Sequence, residues 1–338
     1  MMNKSFFLWL VVLMVIGFNS CDTDEVHPEV LPDAIDTYKY IALRSDGQLF
    51  EVGNHTGKIS PVNKIPGIEF VSNLNTLTFS PTNLYIYEHK FPPLQSTIHV
   101  YNRTTKTTQT KTISFPKEVF GEAPGLVSLE WDETNGVLVG LVKEHYESGP
   151  NHITRVARID PVNFEVTSMN IELDRAHVIS TQLIENKIYT STYKPGTGGG
   201  SNDFFQIDLA TGTLTSLELP NMVWPPIHLS KNNTNNLLFG FLPVAGSTFA
   251  GEGKPVTINP ATRQVTNLFP NEMIGNKNFS GRSFFNPGSG EHVDFITSAT
   301  YNGLFQYNTN TQEVAVTELP LPNDLSSMVA IVDVRKVN

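Results

Sequence analysis

Four polar side chains fall on predicted strands that are otherwise apolar, and their types could move a proton. Glu130, Gln182 and His228 occupy equivalent places in the innermost predicted strands of three successive repeats, and Thr78 does so in a fourth. Polar groups in such a register face a shared channel or pair with one another. An acid and a base at one cavity could carry out proton-transfer chemistry. A structural belt of hydrogen bonds is the alternative interpretation.

Basic, amide and aromatic side chains gather near the long predicted connections between strands. This combination suits a carbohydrate, a peptide segment or an anionic small molecule. In an enzyme, His177 or His228 would act as the base and Glu130 as its acid partner. Arg175 or Arg282 would then hold an anionic substrate. The candidate ligand-binding residues are Arg175, His177, Trp224, His228, Asn278 and Arg282.

Metal and cofactor motifs are weak in this chain. His145 and His152 lie in one predicted loop and could share a metal with His177 or His228, but their spacing matches no known metal motif. The glycine-rich segment 196–200 lacks the following Lys-Ser/Thr and helix of a phosphate-binding loop, so it is interpreted as a flexible loop tip. We therefore expect no metal and no cofactor.

A repeat with a period of roughly fifty residues must position these side chains. In each copy a hydrophobic residue precedes Asp, Asn or Gly, and Thr or Asn follows three positions later. A short polar side chain that caps a turn, before a position that tolerates positive φ, is typical of a β-hairpin. The copies are anchored at Gly53, Asn102, Asp160, Asp208, Asn259 and Asn308.

The strands around the repeat predict the fold. A second predicted hairpin precedes five of the copies, which gives four strands per period, the sheet of one propeller blade. Only one strand, at 38–43, precedes the first copy, and a strand at 328–332 has no later partner. Pairing of these two would close the ring without a free edge. The sequence therefore predicts an all-β fold, a six-bladed propeller with four-stranded antiparallel blades. A pair of β-sandwiches and a β-helix are the alternatives.

This arrangement resembles the six-bladed propellers of the TolB-like and NHL-type groups, in blade number and closure. The resemblance covers residues 37–338 and is architectural, because no catalytic motif comes with it. Six-bladed propellers of the calcium-dependent lactonase kind suggest a lyase or hydrolase by fold analogy alone.

The predicted connections differ in length on the two sides of the ring. Turns within each hairpin are short, as at 80–83, whereas links between hairpins and between blades are long, as at 143–154, 192–203 and 270–281. Loops beyond what a connection requires usually carry function. The rim with long links is therefore the expected binding face, and the repeat turn on the opposite side is expected to be structural.

The N-terminus predicts export and a lipid anchor. Residues 1–20 carry one positive charge and a short apolar run, the pattern of a secretory signal. Cys21 is the only cysteine and cannot form an internal disulfide. The segment 18–21 resembles a bacterial lipobox, and the acidic residues that follow are similar to the surface-export signals of Bacteroidota lipoproteins. The resemblance implies a lipidated Cys21 that anchors the chain at the outer membrane, facing the periplasm or the cell surface, with 21–36 as an acidic tether.

The net charge of the chain indicates which classes of binding partner are disfavoured. With 33 acidic against 23 basic residues the net charge is −10, which disfavours nucleic acid. The sequence thus predicts a monomeric, exported lipoprotein whose propeller rim binds a glycan, a peptide or an envelope protein without catalysis. The alternative hypothesis is a channel-sited lyase, hydrolase or lactonase that acts on an anionic small molecule or a glycan.

Overall fold

Short strands make up most of the described chain from Tyr38 onwards in the computed structural model. They form six sheets, and each sheet is a propeller blade. The structure describes residues 34–71, 73–90, 95–146, 153–174, 177–194, 201–220, 222, 224–232, 235–243, 253–268, 278–279, 282–297, 302–319 and 328–337.

Each blade is an antiparallel meander, and contacts between blades run mainly through the first strands, which surround the axis. Blade 1 contains β1 (Tyr38–Arg44), β2 (Gln48–Gly53) and β3 (Ile59–Lys64); blade 2 contains β4 (Leu77–Phe79), β5 (Asn83–Lys90), β6 (Gln95–Asn102) and β7 (Thr108–Ile113); blade 3 contains β8 (Gly125–Asp132), β9 (Val137–Lys143), β10 (Thr154–Ile159) and β11 (Val166–Leu173). A 3-10 turn (Leu74–Thr76) precedes β4, and a short helix α1 (Lys117–Phe120) precedes β8.

The second half of the ring repeats this plan, with one interruption. Blade 4 contains β12 (His177–Ile184), β13 (Lys187–Lys194), β14 (Ser201–Asp208) and β15 (Leu214–Ser216); blade 5 contains β16 (Ile227–Lys231), β17 (Leu238–Pro243), β18 (Gly253–Asn259) and β19 (Gln264–Asn267); blade 6 contains β20 (Asn278–Phe279), β21 (Phe284–Asn286), β22 (Glu291–Thr297), β23 (Asn302–Asn308) and β24 (Val314–Glu318). Because β20 and β21 both pair with β22, the first strand of blade 6 is divided into two pieces.

The last strand closes the ring. β25 (Met328–Lys336) pairs antiparallel with β1, from Tyr38 opposite Lys336 to Arg44 opposite Met328. It thereby becomes the first strand of blade 1, in the order β25-β1-β2-β3. The predicted six-bladed propeller and its closure by the C-terminal strand are confirmed.

Apolar side chains are concentrated between the blades. The described residues form six buried clusters, and each one joins two neighbouring blades around the ring. β9 is buried along almost its whole length, whereas β7, an outer strand of alternating Thr and polar residues, is mostly exposed. Burial decreases from the inner to the outer strands because inner strands are covered on both sides by the adjacent blades, whereas outermost strands face water.

The repeat forms the turn between the third and fourth strands of each blade. In blade 2 the side-chain oxygen of Asn102 accepts hydrogen bonds from the backbone N–H groups of Thr104 and Thr105, at 2.9 and 2.8 Å. The same pair of bonds is made in blades 3 to 6 by Asp160, Asp208, Asn259 and Asn308. Such Asx turns stabilise the hairpin by adding side-chain hydrogen bonds to the backbone hydrogen bonds of the turn.

Blade 1 obtains this turn by a different route, because its anchor position is Gly53. The carboxylate of Asp36 accepts from the N–H groups of His55 and Thr56, at 3.0 and 2.9 Å, and from the Thr56 hydroxyl at 2.8 Å. A Cβ at Gly53 would collide with the Asp36 carboxylate. Asp36, which the sequence assigned to the tether, therefore supplies the missing side chain of the first repeat.

Strand direction defines two faces of the ring. The short-turn face carries the turns between strands one and two of blades 2 to 6 and the turns between strands three and four of each blade. The long-loop face carries the links between strands two and three and between blades. Most gaps between the described ranges fall within links of the long-loop face.

Candidate functional site

An ion pair crosses the axis of the ring. Arg282 enters from blade 6, just before β21, and its Nη2 lies 2.6 Å from Oε2 of Glu130 in blade 3. The same nitrogen donates to Oε1 of Gln182 in blade 4 at 3.2 Å, and Nη1 donates to the carbonyl of Leu77 in blade 2 at 2.9 Å. One guanidinium therefore joins four blades.

Glu130 is held further by its neighbours. Its Oε1 accepts from the hydroxyl of Thr181 at 3.0 Å, and that hydroxyl also bonds Ser128 at 2.8 Å. The Glu130 side chain is 3% exposed and that of Arg282 is 13% exposed. The two opposite charges balance each other in a buried setting where either one alone would be costly.

A cavity of about 340 Å³ lies against this ion pair. It is lined by the inner strands of the ring and by residues of the short-turn face, among them Pro81, Glu133 and Pro287, which are exposed. Arg103, from the repeat turn of blade 2, also lines it. We call this space the axial cavity. The ion pair forms its floor and the short-turn face its mouth.

His228 lies beside a buried carboxylate and not beside Glu130. Its Nδ1 is 3.9 Å from Oδ2 of Asp294 on β22. Its backbone has φ 52°, within an interruption of the β16–β17 pairing. A non-glycine residue in this left-handed region is strained by roughly 1–3 kcal/mol. Burial lowers the pKa of His228 to about 4, so the imidazole is uncharged at neutral pH.

The strand pairing corrects the predicted position of His228. Glu130 pairs with Val139 and Gln182 with Tyr189, near the start of the second strand of their blades. In blade 5 the corresponding partner, Phe239, pairs with Ser230. Ser230 therefore takes the place that was predicted for His228, because the interruption at 228–229 shifts the register of β16.

Two serines of the axial cavity contact buried titratable groups of β22. Ser230 Oγ lies 2.9 Å from Nδ1 of His292, and Ser283 Oγ donates to Oδ2 of Asp294 at 2.8 Å. Burial lowers the pKa of His292 to about 3. Burial raises the pKa of Asp294 to about 7, against the opposing hydrogen bonds from Ser283 and the Phe295 N–H. Sequence reasoning missed all four groups, although polar residues two positions apart in a buried second strand were a usable signal.

On the long-loop face, three aromatic side chains form a row. The His177 and Tyr193 rings lie nearly parallel, with centroids 6.4 Å apart and an interplanar angle of 11°. Trp224 continues the row, 6.4 Å from Tyr193 at 43°. All three side chains are partly exposed. Burial, with a smaller contribution from the charge of Lys143, lowers the pKa of His177. We call His177, Tyr193 and Trp224 the aromatic row.

Polar groups flank the aromatic row. Lys194 follows Tyr193 directly and forms a 2.8 Å ion pair with Asp174, and both side chains are well exposed. The structure thus brings together His177 and Trp224, two of the predicted ligand-binding residues, and adds Tyr193 between them. It places Arg282 and Glu130 elsewhere, at the axial cavity.

The remaining predicted residues have little or no structural description. Asn278 lies on β20, paired with Thr297, and its side chain is outside the described part of the structure. Arg175 and Cys21 lie outside the described residues. Among the residues that are described, no group of three or more His, Cys, Asp or Glu side chains could hold a metal ion. The same residues include no helix with the length and apolar character to cross a membrane.

Comparison with known proteins identifies the fold. The sequence matches no protein-family profile and no curated protein. The structure is similar to TolB from Acinetobacter baumannii, with a TM-score of 0.56 at 11% identity over 85% of this chain and 64% of that one. The chain thus spans less than two thirds of that TolB chain.

Two further solved structures share the architecture. An oligogalacturonate lyase in complex with manganese has a TM-score of 0.52 at 10% identity, over 82% of this chain and 77% of the lyase. A chain of a nidogen/laminin complex has a TM-score of 0.50 at 11% identity, over 84% of this chain and 94% of that one. At these identities the likeness establishes the fold alone.

Proposed function

We propose that this protein is a non-catalytic binding protein that takes a glycan at the aromatic row. The row itself carries the proposal: three partly exposed rings from β12, β13 and the link before β16 form one continuous flank of the long-loop face. Flat aromatic surfaces bind the apolar faces of sugar rings, and polar groups at their edge bind hydroxyls.

The flanking charges fit this ligand. Lys194 and Asp174 offer donors and acceptors next to the rings, and because they neutralise each other they favour no charged ligand strongly. A peptide segment or an envelope protein could use the same rings, and these remain outcomes of the test. The negative net charge argues against polyanions in general.

The acid and base required by the enzymatic alternative are engaged separately. Glu130 is bound to Arg282 and Thr181, whereas His228 lies against Asp294 and is neutral at physiological pH. Proton transfer between groups requires both within hydrogen-bond reach of one substrate. This separation supports a binding role over a lyase or hydrolase role.

A glycan-binding screen on the purified protein, followed by calorimetry, tests the proposal. Trp224→Ala and Tyr193→Ala are expected to weaken the best glycan by about tenfold or more, since such anchors often contribute over about 1.4 kcal/mol. Phe70→Ala, which removes an exposed ring on another link, is the matched control and should leave affinity unchanged. Cleavage of the bound glycan, or equal binding by all variants, would contradict the proposal.

We further propose that the chain is anchored through a lipidated Cys21 at the outer membrane, as the N-terminal pattern predicts. Membrane fractionation of Cys21→Ala in the expressing bacterium tests this. The variant should move from the membrane fraction to the soluble fraction or accumulate unprocessed. If it stays in the outer membrane at the wild-type level, the anchor is elsewhere.

A further inference from the structure

The axial cavity has the size and the lining of a ligand site. Its volume of about 340 Å³ falls within the range of roughly 300–1,000 Å³ that small-molecule sites occupy. Its lining combines aromatic walls with polar and charged groups, of which Glu130, Gln182 and Arg282 lie at the floor. It opens on the short-turn face, opposite the aromatic row.

The walls are aromatic. Phe79 of blade 2 and Phe284 of blade 6 have ring centroids 5.8 Å apart, and Phe79 is 38% exposed at the mouth. Trp131 forms another wall and is held by stacking on Tyr85, 5.8 Å away at 10°. A ring-shaped body would find flat apolar contacts here.

The charges of the lining are already paired. Arg282 is bound to Glu130 at 2.6 Å, Arg103 to Asp333 at 3.1 Å, and Lys231 lies 4.0 Å from Glu133 at the mouth. A charged ligand group would lose its hydration in the cavity without gaining an opposite charge, which is unfavourable. The lining therefore selects against ions of either sign.

Arg282 at the floor has hydrogen-bond donors without an acceptor among the described residues. The guanidinium of Arg282 donates through Nη1 to Leu77 and through Nη2 to Glu130 and Gln182. An arginine has five N–H groups. Within the described ranges the second N–H of Nη1 has no protein acceptor, and neither has Nε–H. A carbonyl or hydroxyl oxygen of a ligand could accept from either donor without disturbing the ion pair.

We propose that the axial cavity is a second binding site, for a neutral small molecule with a ring-shaped body and a hydrogen-bonding edge. The ring lies between the Phe79–Phe284 pair and Trp131, and the polar edge meets the floor at Arg282. This site is independent of the aromatic row and of the glycan assigned to it.

Tryptophan fluorescence can separate the two sites, because Trp131 lies in the cavity wall, Trp224 in the aromatic row, and the third tryptophan is Trp9. In the full chain with Trp9→Phe and Trp224→Phe, Trp131 is the sole indole. Benzamide serves as the neutral probe and benzoate as its charged counterpart, with excitation at the red edge of indole absorption. Circular dichroism confirms that each variant is folded.

We expect benzamide to change Trp131 emission saturably and to bind about tenfold or more tightly than benzoate, a difference of about 1.4 kcal/mol. Phe79→Ala, at the exposed mouth, should weaken benzamide by about fivefold or more, and Phe70→Ala should not change it. No saturable response in folded protein, equal affinity for benzoate, or an unchanged affinity in Phe79→Ala would each overturn the proposal. None of these outcomes bears on glycan binding at Trp224.

Discussion

The two faces of the ring hold their candidate functional side chains in opposite ways. At the axial cavity, Arg282 and Glu130 are buried and bonded to several blades at once. At the long-loop face, His177, Tyr193 and Trp224 touch each other while remaining partly exposed. The ion pair at the axial cavity joins several blades, whereas the aromatic row lies on the surface that the blades provide.

This difference shows that loop length and site construction are separate signals. Long links identified the long-loop face as the place where sequence can vary without damage to the blades. The long links did not predict the axial cavity or the Arg282–Glu130 ion pair, which lie towards the short-turn face. Variants can therefore be sorted by whether they change stability, binding or both.

The largest stability effect is expected at the ion pair. Arg282→Met leaves Glu130 buried without a cation and should lower the free energy of unfolding by about 3–5 kcal/mol, measured by urea denaturation. The double variant Glu130→Leu with Arg282→Met should recover much of that loss, because an apolar pair needs no compensating charge. If Arg282→Met lowers the free energy of unfolding by less than about 1 kcal/mol, the ion pair does not stabilise the ring.

Acid should destabilise the protein through His292, which contacts the cavity-lining Ser230. This ring is fully buried and stacked on Phe239, with centroids 4.4 Å apart, and burial lowers its pKa to about 3. Its pKa in the unfolded chain is about 6.5. Its contribution to stability is therefore complete above about pH 6.5 and is lost as pH falls towards 3, by up to about 1.4 kcal/mol per pH unit.

The variant Ser230→Ala with His292→Phe tests this slope without leaving an orphaned hydroxyl. Urea midpoints at a series of pH values should fall less steeply in the variant between pH about 6.5 and about 4.5. Asp294, whose pKa burial raises to about 7, acts in the opposite direction, since its contribution is lost as pH rises towards 7. Asp294 and His228 are present in both proteins, so the difference reports His292. If the urea midpoints of the two proteins fall equally steeply with pH, His292 is not the source of the pH dependence.

A smaller effect is expected at the first repeat turn. Asp36→Ala removes three hydrogen bonds to His55 and Thr56 and should cost about 1–2 kcal/mol in thermal or urea denaturation. Gly53→Asp alone should also destabilise, because its Cβ meets the Asp36 carboxylate. Combined, the two changes should restore stability, since the new carboxylate would then cap the turn as Asp208 does in blade 4. Additive losses would exclude this exchange.

The smallest stability effect is expected at the aromatic row. Trp224→Ala should change the free energy of unfolding by less than about 1 kcal/mol, because the ring lies on a link at the partly exposed rim. Trp131→Ala, which removes a ring stacked on Tyr85 between two blades, should cost several times more. Thermal denaturation of both variants gives the comparison. If the two variants lose equal stability, the aromatic row contributes to the stability of the fold as much as the packing of Trp131 does.

The fold could be predicted because its information is local and repeated. Five of the six copies of the repeat contain their own Asx residue, and alternating strands flank each copy. The unpaired strand at the C-terminus then left one way to complete blade 1. The exception, Gly53, could not be resolved from sequence, because its substitute Asp36 lies 20 residues from Thr56.

The candidate site was less predictable because its contacts are not local. Glu130 and Arg282 are 152 residues apart, and Arg282 lies where the first strand of blade 6 is interrupted, outside any repeating position. His228 was misplaced because one irregularity in β16 shifts its register. His177 and Trp224 were identified by residue type, but only the fold shows that Tyr193 connects them.

Closure by β25 also determines the order in which the blades can be completed during folding. The strand at Met328–Lys336 pairs with β1, nearly 300 residues earlier in the sequence, so blade 1 lacks its axial strand until all six repeats have been made. Long-range pairing of this kind is slow, and incomplete rings expose strand edges that invite association. Until β25 pairs, the chain therefore passes through an open-ring stage, in which chaperones or neighbouring chains can still reach the edge of β1.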